Sequence, residues 1–149
     1  MHLVVAVDGS PEAEDALAHA TDIADATDGR ITAVHAVDPS VPSADDNDPF
    51  GGATERDRQL IVESVETAEE RGMEVLDAIV DIAANLGYEI DTELVYGDPA
   101  DAITDYAETV DADAIYVGHR GLSERRETMV GSVAKQFVER ADRPVTVVR

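Results

Sequence analysis

Short apolar runs alternate with amphipathic stretches along the whole chain. Leu3 to Val7 is an unbroken apolar run, and Ser10-Pro11 after it reads as an N-cap followed by proline at the first helical position. Ala13, Leu17, Ala20 and Ala24 then share one helical face up to about Thr27, and Gly29 predicts the stop. Ile31 to Val37 is a second apolar run. Asp38 to Ala53, rich in Pro, Gly, Ser and Asp, is longer than most connections, which predicts a mobile or functional loop.

From Thr54 to Leu86 the pattern is helical. Ile61, Val65, Ala68, Gly72, Leu76, Ile79, Ala83 and Leu86 step by three or four and form one stripe. Gly72 on that stripe predicts either a close packing contact or a break into two helices. Ile90 to Val95 reads as a third strand. Gly97-Asp98-Pro99 opens a helix through Ala102, Ile103, Tyr106 and Val110, and Ala114 to Val117 is the fourth apolar run. A last helix from Val133 to Arg140 leads, after Pro144, to a fifth strand at Val145–Val148.

Strands that are continuously apolar, rather than alternating, are strands buried on both faces, and helical crossovers between them make the sheet parallel. The fold class predicted is α/β: a single doubly wound domain over residues 1–149, with a five-stranded parallel sheet and helices on both faces. No internal repeat or domain boundary interrupts it.

The chemistry concentrates after the fourth strand. Gly118-His119-Arg120-Gly121 is followed by nine residues and then Gly131-Ser132, where the last helix begins. Strand, glycine-bearing loop and helix N-terminus in that order suit a phosphate: glycine lets the backbone approach, and the first helical N–H groups point outward. Ligands of open α/β sheets bind at the carboxyl ends of strands where the strand order reverses, which places strands one and four beside the site. Asp8 ends strand one. It either makes an Asx-turn or caps the next helix through Gly9-Ser10, or it is a ligand group that accepts from ribose hydroxyls or holds a Mg²⁺ between phosphates. Ser132 either caps the helix or donates to a phosphate oxygen, and Arg120, Arg125 and Arg126 either pair with phosphate or face solvent.

Composition narrows the partners. The chain holds 33 acids against 11 Lys and Arg, a net charge of −22, with Lys135 its one lysine. Such a surface repels nucleic acid and anionic membranes and is stabilised by screening, which points to a salt-accumulating cytoplasm. The excess is uneven: residues 118–149 carry seven bases against four acids, leaving 29 acids and four bases in residues 1–117. The glycine motif thus lies in the one positive stretch. There is no cysteine, hence no disulfide frame or thiolate metal site, and no apolar run long enough to span a bilayer or act as a leader. The P-loop and the G-x-G-x-x-G fingerprint are both missing. His2, His19, His35 and His119 lack metal-ligand spacing, His35 reading as a strand residue, and no catalytic constellation stands out.

Three segments together carry a family resemblance: Val5-Ala6-Val7-Asp8-Gly9-Ser10-Pro11, the Gly118-x2-Gly121-x9-Gly131-Ser132 motif, and the terminal Arg143-Pro144-Val145-Thr146-Val147-Val148. The whole chain resembles the universal stress protein family, and its acid-rich, lysine-poor composition resembles a halophilic archaeal member. The resemblance implies a Rossmann-like sheet of order 3-2-1-4-5, a homodimer through the C-terminal strand, and an ATP-binding subtype marked by the complete glycine motif. It implies that Ala6, Val7, Asp8 and Ala36 surround adenine and ribose. Val117, Gly118, His119, Arg120, Gly121, Leu122 and Ser123, with Gly131, Ser132 and Val133, would hold the triphosphate, and Asp8 the metal. His119-Arg120 departs from the small polar residue and His usual between the first two glycines. The function implied is a nucleotide-dependent stress-response or signalling module in the cytoplasm, binding ATP with Mg²⁺ and switching an unknown protein partner. A slow Mg²⁺-dependent ATPase and a nucleotide-free dimer are the alternatives. The His-x-Gly-His type signature of related nucleotidyl transferases does not occur.

Overall fold

In a computed structural model the described residues are 1–38, 55–121 and 130–149, with side chains described outside 55–64. The elements run β1 (His2–Ala6), α1 (Pro11–Thr27), β2 (Arg30–Val37), α2 (Glu55–Asn85), β3 (Asp91–Tyr96), α3 (Pro99–Thr109), β4 (Ala114–Gly118), α4 (Ser132–Arg140) and β5 (Val145–Val148). The five strands form one all-parallel sheet of order β3-β2-β1-β4-β5, the order the resemblance implied.

Strand alternation divides the core in two. Leu3, Val5 and Val7 face one side with Ile31, Ala33 and Tyr116, where α1 and α2 cover them through Leu17, Ala20, Leu76 and Ile79. Val4, Ala6, Val34, Ile115 and Val117 face the other side, beneath Ile103 and Ala107 of α3 and Ala134 and Phe137 of α4. The central strand β1 is buried along its whole length, as both-face coverage demands. The chain winds outward on the first face to β3, then crosses to the second face and returns to the other side of β1. The order of strands reverses between β1 and β4, whose pairing joins Leu3 to Ala114 and Val5 to Tyr116.

Helix starts follow the sequence closely. Ser10 caps α1, its hydroxyl accepting from the Ala13 N–H, and Asp98 caps α3 by accepting from the Asp101 N–H, each with proline next in the chain. α1 ends at Thr27, as the sequence predicts, but its cap is built differently. The left-handed residue is Asp28 (φ 52°), not Gly29, and Gly29 is short of space instead: an added Cβ would lie 2.9 Å from the Met1 carbonyl oxygen. Asp tolerates this conformation because its short polar side chain bonds locally.

α2 is a single helix through Gly72, so the alternative of a break is excluded and the close contact is what Gly72 provides. Leu86 leaves the buried stripe: it follows the helix end and is exposed. The long loop at 38–53 falls outside the described residues after Asp38.

Candidate functional site

The carboxyl ends of β1 and β4 open a cleft at the point where strand order reverses. Its lining includes Ala6, Val7 and Asp8 from the end of β1, Ala36 from β2, Val117, Gly118, Arg120 and Gly121 at the end of β4, and Gly131 and Val133 at the start of α4. These are residues the sequence singled out, converging from four separate elements. His119 stands at the neck of the glycine loop. Its carbonyl accepts the Gly131 N–H at 2.5 Å, and its own N–H donates to the Val148 carbonyl at 2.7 Å. The first of these bonds joins the two ends of the segment between Gly118 and Gly131, and the second ties His119 to β5. Ser132 is the exposed first residue of α4. Leu122, Ser123, Arg125 and Arg126 lie outside the described residues.

Sequence reasoning missed the floor and the far wall. Ser10, Ala13, Pro99, Ile103, Ala134 and Phe137 also line the cleft, as does His35. Phe137 is fully buried, and truncating such a ring to Ala costs about 3–5 kcal/mol. These residues look like helical core in the sequence; only Gly97-Asp98-Pro99, at the end of another parallel strand, hinted that α3 borders the site. His35 faces the α2 side of β2 and bonds through Nδ1 to the Val7 carbonyl at 2.8 Å, so its ring fixes the end of β1 beside the cleft.

The start of α4 differs from the starts of α1 and α3. Gly131 makes no side-chain cap, and the first turn holds no acid, whereas α1 carries Glu12 and Glu14 there and α3 carries Asp101. A helix start with no acid in its first turn keeps its partial positive charge, which favours an anion beside it. Around this end the backbone is packed as tightly as glycine permits. A Cβ at Gly118 would lie 2.8 Å from the backbone carbon and oxygen of Glu12, and one at Gly121 would lie 2.5 Å from Asp8 Oδ2.

Asp8 makes the Asx-turn, its Oδ1 accepting the Ser10 N–H at 2.9 Å, while Oδ2 turns toward Gly121. Arg120 does not face solvent: its Nε donates to Glu12 Oε1 at 2.9 Å, both side chains being mostly buried. The Glu12 carboxyl is held below the usual carboxylate range by its own backbone N–H and then by Arg120 and His119, against the opposing effect of burial. Among the described residues no three His, Cys, Asp or Glu side chains gather into a metal centre, and no helix is long and apolar enough to cross a membrane.

A doubly wound parallel sheet with a glycine loop at its switch point defines the class of α/β fold whose ligands bind at the carboxyl ends of the strands. The family is more specific. The model of the Universal stress protein family matches residues 1–149, and the chain belongs to that family. A universal stress protein of Methanocaldococcus jannaschii is 34% identical over 148 residues, which is 99% of this chain and 81% of that one. The solved universal stress protein UspA of Lactobacillus plantarum superposes with a TM-score of 0.81 at 25% identity, covering 100% of this chain and 97% of its own. A universal stress protein in complex with cAMP gives 0.69 at 26% identity (100% and 97% covered), and one from Archaeoglobus fulgidus in complex with dAMP gives 0.65 at 28% (100% and 98% covered).

Proposed function

We propose that the cleft between β1 and β4 binds an adenine nucleotide, ATP with Mg²⁺, and that the protein acts as a nucleotide-dependent stress-response or signalling module. The observation that carries this reading is the meeting of the uncapped, acid-free start of α4 with the ends of β1 and β4 around one cleft. Adenine and ribose take the apolar part beside Ala6, Val7 and Ala36, and the phosphates take the backbone N–H groups near Gly131. That relatives are solved with cAMP and dAMP supports the same base. Asp8 would hold the Mg²⁺ through Oδ2, with phosphate oxygens and water as the other ligands. Isothermal titration of ATP, with and without Mg²⁺, in high potassium chloride tests the reading; absence of heat for every adenine nucleotide overturns it.

A second reading, a dimer with a structural glycine loop and no nucleotide, draws on one observation. Glu12 and Asp8 alone account for the missing side chains at Gly118 and Gly121. The same titration separates the two. The acidic composition supports a cytoplasmic setting rich in salt, as in a halophilic archaeon, and the uncovered strand β5 supports a homodimer through its edge.

A further inference from the structure

The described charged side chains that line the cleft are Asp8 and Arg120, and Glu12 stands behind Arg120 as its ion-pair partner, so two carboxylates are set against one guanidinium. That balance is unfavourable for a polyanion. The cation among these described residues is also engaged, since Arg120 meets Glu12 at 2.9 Å with side chains only 21% and 15% exposed, so solvent screens the pair weakly.

The backbone of Glu12 is fixed by its packing. It sits in the first turn of α1, and that turn is pressed onto the end of β4 so closely that Gly118 has no room for a Cβ. From that fixed backbone its carboxylate reaches Arg120 across 108 positions of sequence. Asp8, with one oxygen committed to Ser10, adds a second fixed negative charge at the same mouth.

Resting on the nucleotide-binding reading, we propose that Glu12 sets the number of phosphates this site accepts, by keeping Arg120 engaged. A single phosphate is served by the start of α4. Each further phosphate brings negative charge toward Asp8 and Glu12, and it is accepted only when a divalent cation offsets them or when Arg120 exchanges Glu12 for phosphate. The unassisted site thus favours nucleotides of low charge, and ATP enters as its magnesium complex.

The experiment is calorimetric titration of AMP and of ATP, each without and with Mg²⁺ at fixed ionic strength. The proteins are the native one, Glu12→Gln, and the double variant Glu12→Gln/Arg120→Gln, whose local charge equals the native. Metal-free ATP should bind the native protein at least about tenfold more weakly than AMP, as one unneutralised charge at close range dictates. Glu12→Gln should recover about tenfold for metal-free ATP and less than about threefold for AMP, and the double variant should return ATP to its native affinity. Thermal melts of each variant establish that it is folded, and Glu12→Asp, which keeps the charge, serves as the second variant and should leave the ATP-to-AMP ratio within about threefold of native. An unchanged ratio in Glu12→Gln, or a gain that survives in the double variant, overturns the role of Glu12 while nucleotide binding stands. No binding of either nucleotide to the native protein removes both.

Discussion

Gly72 of α2 packs closely against His35: a Cβ added there would stand 2.8 Å from His35 Cδ2 and 2.9 Å from Leu94 Cδ1. Because His35 is also tied to the Val7 carbonyl, its ring cannot simply swing away. Gly72→Ala gains up to about 1 kcal/mol of helix propensity but forces overpacking worth about 1–3 kcal/mol. The variant should be less stable by about 1 kcal/mol in urea unfolding. A midpoint equal to or above the native one contradicts this packing account.

Gly131→Val should weaken nucleotide binding by about a hundredfold or more and leave the fold intact. Gly131 is buried on the cleft wall where the phosphate would meet the backbone, and its N–H bonds to the His119 carbonyl. A branched side chain at that point takes the anion's place. Titration checks affinity and far-UV circular dichroism checks the fold; native affinity in a folded variant refutes the phosphate-loop reading.

Salt should stabilise the protein. Four bases against 29 acids in residues 1–117 repel one another over about 30 Å at 0.01 M ionic strength and over only about 3 Å at 1 M. The melting temperature should rise by about 5 °C or more across a potassium chloride series. A flat series contradicts the halophile inference.

Acid should act first through His2. Its Nδ1 accepts from Arg30, and Nε2 donates to Thr32 Oγ1 at 2.8 Å. Burial and then Arg30 lower its pKa below 6.5, with the Val110 backbone and then Asp113 and Asp91 opposing. The unfolded chain therefore binds the proton more readily, and the stability at issue is full above about pH 6.5 and is lost as pH falls toward the folded value. Glu12, also lowered, loses its contribution only below about 4.5, outside the range in which His2 acts. Urea midpoints from pH 7 to 5 should fall, and His2→Gln should flatten that fall. A slope equal in both proteins rules His2 out.

Strand β5 tests assembly. Ile115 and His119 donate to the carbonyls of Pro144 and Val148, so the even-numbered groups of this strand face β4 and those of Val145 and Val147 face outward. Val147→Pro removes an outward N–H, leaving the inner ladder. Light scattering at tens of micromolar should show a native dimer and a shift of the variant toward monomer; a native monomer ends the dimer proposal.

Local rules made most of the fold legible. Strands buried on both faces are apolar runs, and Ser10-Pro11 and Asp98-Pro99 announce their helices within a few residues. The site was legible only where its atoms are local. Asp8 and Gly131 could be named from the strand–loop–helix order, but the partner of Arg120 lies 108 positions away, and the reason for Gly118 is the backbone of α1. No pattern within a window of sequence contains those contacts. Ile103 and Phe137 were hidden for a different reason: a residue lining a cleft and a residue filling a core have the same helical spacing. Asp28 was passed over because glycine, next to it, is the commoner residue in the left-handed region.

The pairing of β1 with β4 has a consequence for how the chain is made. β1, α1, β2, α2 and β3 are consecutive and can dock on one another as they leave the ribosome. The other flank of β1 waits for residues more than a hundred positions later, as the bond from the His2 N–H to Asp113 shows. Contacts of such long separation close late, because the loop entropy must be met before they form. The cleft lies across that closing seam. A nucleotide would thus find no half-made site on the nascent chain: it would meet only the finished sheet, and its binding would hold the seam shut by mass action.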